Sequence, residues 1–583
     1  MSEPSATQAP PPADKPVADG AGEEGPSKKA LKKAEAKAKK EAEKAKRAAE
    51  RAAAQASQAA AAQTEDLAKD NYGPEKQYPE EREITLKELN EDDVGKTVVL
   101  RAWLQNVRPQ SAKLLFMELR EEGNWSIQAI AAANVEGAPV SRQMVKWIGG
   151  VNPESFLVVV GTIAKPIEPV TSCKVSNYEL HLTKVYLRAA APPVLGMTLA
   201  ASNRAIANFS DEAPAAVEEG VDKLSLAPSG EATAIPAATM LTHLDNIAMH
   251  RRAPVAQAIA DIRMEVKELF RSYLKAKGFK EFEPPCLIGA ASEGGANVFR
   301  MPYFEKEAFL AQSPQFYKQY EIAGGRKRVF SIGPVFRAEN SNTPRHMTEF
   351  TGLDLEMEIR KDYHEVFDVL EGVLLHIFSG IKERCAEQIE TVRSVYPSED
   401  FLLPEDGKVL RLTFAEGQKL LREEGPAEFK DVRDDEDMST AAEKALGRVV
   451  REKYHTDFYV LDKFPESARP FYAKEDPTNP EVTNAMDYFL RGQECLSGGQ
   501  RINEPEELKA RMIKKGVDPN SGGLKEYVEV FQSVGVPPHG GGGIGLDRVV
   551  AFYLNLPSVH LASFYPRTPK RLLPVSFFAV LGT

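Results

Sequence analysis

The spacing of apolar and polar positions changes character four times along the chain. Residues 1–80 are built from Ala, Lys, Glu, Pro and Gln, with almost no large apolar side chain. Such a segment cannot bury enough surface to offset the entropy of ordering it, which predicts a disordered extension. Within it, residues 28–51 consist of strong helix formers and can become helical when bound. Residues 81–190 carry short apolar runs at 97–104, 114–119, 125–130, 156–163 and 178–187, each bounded by turn residues. Residues 191–245 are rich in Ala, Pro, Ser and Glu without a sustained period, the pattern of a hinge or linker carrying an insertion. From 246 to 583 helical and strand periods alternate. Residues 256–277 form an amphipathic helix that stops at Gly278, and residues 540–554 read as a Gly-rich turn followed by a helix.

The fold class that follows is multidomain: a basic, disordered or helical N-terminal extension, a five-stranded β-barrel, and a large α+β domain. For five short strands in residues 81–190 the oligonucleotide-binding (OB) barrel is the commonest architecture, although another small barrel or a sandwich shares the pattern.

Residues 328–359 predict an antiparallel hairpin with arms 329–339 and 350–359. In the second arm Leu353, Leu355, Met357 and Ile359 share one face, while Asp354, Glu356 and Glu358 share the other. Arg337 and Glu339 share a face of the first arm, and the connecting loop 340–349 holds Arg345 and His346. A wet, charged face of an antiparallel sheet is the plain reading of this pattern. A long polar loop, and arginines opposite the acids with no local salt-bridge ladder, point instead to a ligand site. The glycine run 540–545 followed by Asp547 and Arg548 would let backbone approach a ligand closely. No GxxxxGK[ST] occurs, so phosphates bound here would be held by arginines, whose planar forks suit that task.

Charge and cysteine content refine the picture. The net charge of −11 conceals an asymmetry: residues 28–51 hold eleven Lys or Arg against four Glu, a local +7 that leaves −18 for the remainder. An acidic body with a basic arm suits a protein that meets a polyanion at one defined place. Four cysteines without a CxxC pair argue against a disulfide framework or a zinc site and favour a reducing, cytoplasmic compartment. There is no signal-peptide core, and the longest apolar run, near 156–163, is too short to span a bilayer, which predicts a soluble protein.

Three segments now carry a family resemblance. Residues 278–285 (GFKEFEPP), residues 335–339 (VFRAE) with the returning strand, and residues 541–548 (GGGIGLDR) resemble motifs 1, 2 and 3 of the class II aminoacyl-tRNA synthetases, in the family's order. Residues 292–295 (SEGG), 312–318 (QSPQFYK), 336–356 and 497–501 (SGGQR) are similar to the aspartyl members of subgroup b of eukaryotic cytoplasmic type. The similarity covers roughly 85–190 and 245–583. No extra domain separates motifs 2 and 3, unlike the bacterial form.

The resemblance implies that residues 81–190 are an OB-fold anticodon-binding domain and residues 246–583 a catalytic domain built on an antiparallel sheet. It implies ATP-dependent activation of L-aspartate to aspartyl-adenylate, then transfer to the 3′ end of tRNA-Asp, with release of AMP and pyrophosphate. Catalysis would be positioning and charge neutralisation, without a covalent enzyme intermediate. Arg337 and Arg548 are the implied catalytic residues, on the α- and γ-phosphates. Glu339, Arg345, His346, Phe350, Glu494 and Gly545 complete the ATP site, with Phe350 stacked on adenine. Asp487 and Glu494 are the implied Mg2+ ligands. Ser292, Glu293, Gln315, Lys318, Asp354, Ser497 and Arg501 are implied to bind aspartate, Arg501 and Lys318 meeting its side-chain carboxylate and Asp354 and Gln315 its ammonium. Phe116, Gln128 and Glu179 are the implied anticodon readers. Lys28, Lys29, Lys32 and Lys33 are implied to add salt-sensitive tRNA contacts. Pro285 is the implied centre of a homodimer interface.

Two features depart from the family pattern. The stretch 120–125 is one residue longer, and residues 243–250 (HLDNIAMH) lack the Arg and Asp that usually follow the matching Asn. Three rivals stand beside this reading: an asparaginyl enzyme, an inactive tRNA-binding paralogue, and a nucleic-acid-binding barrel joined to an unrelated domain. Two cations in an amide pocket have no purpose, intact Arg337, Arg548, Asp487 and Glu494 oppose loss of activity, and three ordered motifs oppose the third.

Overall fold

The computed structural model describes residue 66 and residues 68–133, 139–207, 237–292, 297–341, 343–404 and 407–573. The chain divides into two compact units, residues 1–119 with 127–191 and residues 120–126 with 192–583. No helix among the described residues is long and apolar enough to cross a membrane.

In the first unit the strands are β1 (Tyr72–Pro74), β2 (Thr97–Ser111), β3 (Leu114–Arg120), β4 (Ser126–Ala132), β5 (Phe156–Ala164) and β6 (Val175–Ala189), with α1 (Arg142–Ile148) between β4 and β5. They pair in the order β1-β6-β4-β3-β2-β5, and β5 pairs back onto β6, so the five longer strands close a ring. The two-residue period decides which side chains fill it. Leu115, Met117 and Leu119 of β3 are buried while Phe116 and Glu118 are only partly covered. Val99 of β2 meets Val158 and Val160 of β5 in a fully buried β-branched cluster.

The core of the second unit already includes Ile206, Met240 and Leu244, and its first long helix is α2 (Pro254–Ala276). Proline opens this helix, where its missing N–H is harmless, and Gly278 at φ +82° ends it. Ile259, Ile262, Val266, Leu269 and Phe270 recur at three- and four-residue spacing and are buried. They pack near α4 (His364–Arg384), where Gly380 admits Leu269 so closely that a Cβ would collide with it. At about 25 cal/mol per Å2, full burial of each such side chain contributes about 1.5–3 kcal/mol.

An eight-stranded sheet lies against this helical layer in the order β13-β14-β17-β18-β19-β12-β11-β7. Its strands are β7 (Lys280–Glu281), β11 (Arg328–Phe336), β12 (Glu349–Glu358), β13 (Leu410–Thr413), β14 (Phe458–Asp462), β17 (Ala485–Leu490), β18 (Gln493–Gln500) and β19 (His539–Gly545). Pairing is parallel only at β13–β14 and β11–β7. Two small sheets flank it, one of β8 (Leu287–Ile288), β9 (Arg300–Tyr303) and β10 (Lys306–Leu310), the other of β15 (Glu475–Asp476) and β16 (Asn479–Thr483). The helices that matter below are α3 (Gln315–Ala323), α5 (Thr440–Tyr454), α6 (Leu524–Ser533) and α7 (Leu546–Tyr553).

One sequence expectation needs correction. The glycine run 540–545 is not a turn but part of β19, hydrogen-bonded to β12 on one side and β18 on the other. A Cβ on Gly541 would strike the Leu355 carbonyl and the Glu356 carboxylate, so glycine here serves strand packing rather than turning. Between the two readings of the acidic face of β12, burial favours the ligand site over the wet sheet face, since Asp354 is 5% and Glu356 0% exposed. Asp354 lines a cavity, with Glu356 buried behind it.

Candidate active site

The exposed side of the sheet between β11, β12, β18 and β19 bounds a cavity of about 390 Å3. The β11–β12 register pairs Phe336 with Glu349 and Val335 with Phe350, so the hairpin turns just beyond Arg337. Arg337 lies over the Phe350 ring, 5.6 Å from its centroid, and its Nη1 is 3.9 Å from Glu339 Oε1. Arg548, on the first turn of α7, donates Nη1 to the Glu494 backbone oxygen at 3.2 Å and its carboxylate at 3.3 Å. All eight residues expected at ATP, namely Arg337, Glu339, Arg345, His346, Phe350, Glu494, Gly545 and Arg548, line this one cavity. Burial first, then the positive charge of Arg548, keeps His346 below the usual imidazole range. Burial opposes the charge of Glu494, but Arg548, Arg469, Arg337 and Arg345 outweigh it and keep the carboxyl low.

The other end of the cavity holds a buried quartet of charges. Lys318 of α3 reaches Asp354 Oδ1 at 3.0 Å and Glu356 Oε2 at 3.5 Å. Arg501 Nε reaches Glu356 Oε1 at 3.1 Å, and its Nη2 donates to the Gly541 carbonyl at 3.1 Å. Burial works against the Glu356 charge, yet Arg501 and then Lys318 hold this carboxyl below its ordinary range. Two cations and two anions balance, which is what allows all four to be buried. Gln315, Lys318, Asp354, Ser497 and Arg501 of the expected aspartate set line the cavity. Ser292 does not; it is buried, with its Oγ 3.2 Å from Ser313 Oγ on the cavity wall. Glu293 lies outside the described residues, as do Lys28, Lys29, Lys32 and Lys33.

Asp487 and Glu494 stand on the β17–β18 hairpin, where Asp487 pairs in register with Ser497. Asp487 Oδ2 accepts from Arg469 Nη2 at 2.6 Å, and Ser497 Oγ accepts from Arg469 Nη1 at 3.0 Å. Asp487 Oδ1 is buried without a hydrogen-bond partner among the described residues. Burial raises the Asp487 carboxyl, Arg469 opposes that, and the nearby charge of Glu494 adds to it. No group of three or more His, Cys, Asp or Glu suited to a metal occurs among the described residues.

In the first unit Gln128 Nε2 donates to Glu179 Oε2 at 3.1 Å across the β4–β6 register. Glu179 also meets His181 Nε2 at 2.8 Å. Phe116 stands on the opposite side of β3 from the buried Leu115 and Met117. Pro285 is exposed in the second unit, between β7 and β8.

Two site residues escaped the sequence reading, and a third, Glu356, was named there only as part of the acidic face of the second hairpin arm. Glu356 follows Asp354 by two residues on one strand face, so the alternation already pointed to it. Arg469 comes from a loop and carries no local signal. Glu443 on α5 sits ninety-eight residues from its partner Arg345, whose Nη2 it accepts at 2.9 Å while Thr440 Oγ1 accepts Nη1 at 2.6 Å. Burial pushes the Glu443 carboxyl up to about 7 against the pull of Arg345, with Glu494 adding to the rise.

Comparison with known proteins gives the family. Residues 239–569 match the family model for class II tRNA synthetases of the D, K and N type. The cytoplasmic aspartate–tRNA ligase of Rattus norvegicus is 41% identical over 515 residues, covering 88% of this chain and 96% of the relative. The solved aspartyl-tRNA synthetase of Entamoeba histolytica superposes with a TM-score of 0.73 at 34% identity, covering 86% of this chain and 96% of that one. The asparaginyl-tRNA synthetase of Pyrococcus horikoshii, solved with asparaginyl-adenylate, gives a TM-score of 0.69 at 26% identity over 85% of this chain and 100% of that one.

Proposed function

The chain belongs to the class II tRNA synthetases of the D, K and N type, and from that premise we propose how its residues ligate aspartate to tRNA-Asp with ATP. The observation that carries the reading is a single cavity with arginines at one end and a buried Lys318–Arg501 pair at the other. Arg337 takes the α-phosphate and Arg548 the γ-phosphate, with adenine on Phe350. Glu339, Arg345, His346 and Gly545 frame the same nucleotide. These groups stabilise the charge that develops when the aspartate α-carboxylate attacks phosphorus, and pyrophosphate leaves. The terminal ribose hydroxyl of tRNA then attacks the adenylate carbonyl, and AMP leaves.

Aspartate enters with its side-chain carboxylate toward Arg501 and Lys318. Arg501 commits Nε and Nη2 to Glu356 and the Gly541 carbonyl, which leaves Nη1 for the substrate. Asp354 and Gln315 receive the ammonium; Ser292, Glu293 and Ser497 close the pocket around it. Asparagine would offer Arg501 a neutral amide oxygen, a weaker acceptor than a carboxylate, and would turn its NH2 toward the donors of the cation pair, so it is disfavoured. Asp487 and Glu494 would hold Mg2+, which neutralises phosphate charge when bound. The unpartnered Asp487 Oδ1 and the two hard carboxylates suit a cation that takes few protein ligands and several phosphate oxygens.

The closed strand ring of the first unit is proposed as the OB-fold anticodon domain, with Phe116 stacking on a base and Gln128 and Glu179 reading base edges. The lysines at 28, 29, 32 and 33 add phosphate contacts. Exposed Pro285 and Leu287, the latter 45% exposed, suit a homodimer interface. The cytoplasmic location of the relatives is carried over to this chain. Steady-state charging of a tRNA-Asp transcript tests the reading: esterification of aspartate is expected, and failure of purified, folded protein to charge it with ATP and Mg2+ would overturn the proposal.

A further inference from the structure

Beneath the amino-acid end of the cavity, a line of buried polar side chains has a direction that is decided at one end. His539 Nδ1 lies 2.8 Å from the Pro537 carbonyl oxygen. A carbonyl only accepts, so Nδ1 carries the hydrogen. In the neutral ring Nε2 is then an acceptor, and Gln319 Nε2, 2.8 Å away, donates to it. That leaves Gln319 Oε1 to accept from Tyr527 Oη at 2.9 Å and from Gln315 Nε2 at 2.9 Å. Gln315 therefore spends its NH2 inward and offers its carbonyl oxygen to the cavity it lines. Exposures of 3% for Gln315 and 0% for both Gln319 and His539 keep water from substituting for any member.

We propose that His539 is a positioning residue for amino-acid selection: its Nδ1–H tautomer orients Gln319, and through it Gln315, so that an oxygen meets the substrate ammonium. The inference rests on the reading that Gln315 contacts that ammonium. A doubly protonated His539 would demand Gln319 Oε1 instead, turn both amides over, and present N–H donors to a cation. The charged and titratable groups around His539 are Glu356 and Glu358 of β12, the latter directly opposite it in register, Lys318 of α3, Arg501 after β18 and Tyr527 of α6. Burial is the largest influence and favours the neutral ring; Arg501 and Lys318 also oppose the proton, while Glu356 favours it.

Two measurements test this on the full chain. Selective 15N-histidine NMR, with nine histidines to resolve, should show His539 neutral with hydrogen on Nδ1. Pyrophosphate exchange should be run on wild type, His539→Phe, Gln319→Leu and Gln315→Leu, with hydroxysuccinate, which has a hydroxyl in place of the ammonium, as competitor. For all three variants KM for aspartate should rise about tenfold, the loss of one hydrogen bond to a charged group. KM for ATP should stay within about twofold, and the preference for aspartate over hydroxysuccinate should fall about tenfold in parallel. An Nε2–H tautomer in the wild type would overturn the inference even if His539→Phe does not fold. So would His539→Phe and Gln319→Leu variants that raise both KM values equally or neither, while Gln315→Leu is impaired. A Gln315→Leu variant with unchanged KM for aspartate would instead remove the underlying reading.

Discussion

His243 and His250 show how far a single buried group can govern stability. Their Nδ1 atoms are 3.0 Å apart and both rings are buried. Burial lowers His243 to about 4 and His250 to about 3, with the charge of His243 adding to the effect on His250. Both folded values lie below the ordinary 6.5, so the unfolded chain binds more protons as pH falls. The contribution is complete above pH 6.5 and is lost as pH falls toward about 4 for His243 and about 3 for His250. The melting temperature of the wild type should therefore drop more steeply over that window than that of a His243→Leu/His250→Leu variant. Equal slopes would contradict the assignment. At this scale the sequence was readable where a residue belongs to a motif, as with Arg337, Lys318, Arg501 and Arg548. Glu443 and Arg469 were not readable, because their roles depend on partners brought close only by folding.

Elements meet the site through one buried clamp. Arg263 of α2 donates to Asp547 of α7 at 2.6 Å, to the Ala562 carbonyl at 3.1 Å and to Thr351 Oγ1 of β12 at 2.9 Å. Asp547 also accepts from the Thr351 backbone at 3.2 Å. Removing one partner strands a buried charge, so Arg263→Leu should destabilise the fold by about 3–5 kcal/mol. It should also raise KM for ATP, because Arg548 directly follows Asp547; urea unfolding and exchange kinetics check the two effects. Gly541→Ala is expected to lower stability by about 1–3 kcal/mol, since its neighbours are backbone and a buried carboxylate that cannot recede. It should reduce exchange in step, because the strain falls on the β12 backbone that carries Asp354 and Glu356. The hairpin arms and α2 were readable to within a few residues, since their periods of 2 and 3.6 are written in large side chains. The glycine strand was not, because glycine has no side chain in which a period could show, and only β12 and β18 on either side make it a strand.

At the scale of the whole molecule the charge is divided, with +7 in residues 28–51 and −18 elsewhere. Replacing Lys28, Lys29, Lys32 and Lys33 by Ala should raise KM for tRNA and flatten its salt dependence by about one unit of log–log slope for each phosphate that is no longer neutralised. A salt slope equal to that of the wild type would exclude them from tRNA binding. Composition and period change together at residues 80, 190 and 245, and the second of these coincides with the division between the two compact units after residue 191. A closed barrel of five short strands was the reading of residues 81–190; which strands close it was not legible, since pairing of β5 with β6 is a tertiary event. The central claim, an adenylating site that selects a side-chain carboxylate, is tested most directly by pyrophosphate exchange with aspartate and asparagine in parallel, on wild type and Arg501→Leu. The expected result is exchange with aspartate alone, with kcat/KM reduced about a thousandfold or more in the variant. Exchange driven by asparagine, or an Arg501→Leu enzyme that still prefers aspartate at wild-type efficiency, would contradict it.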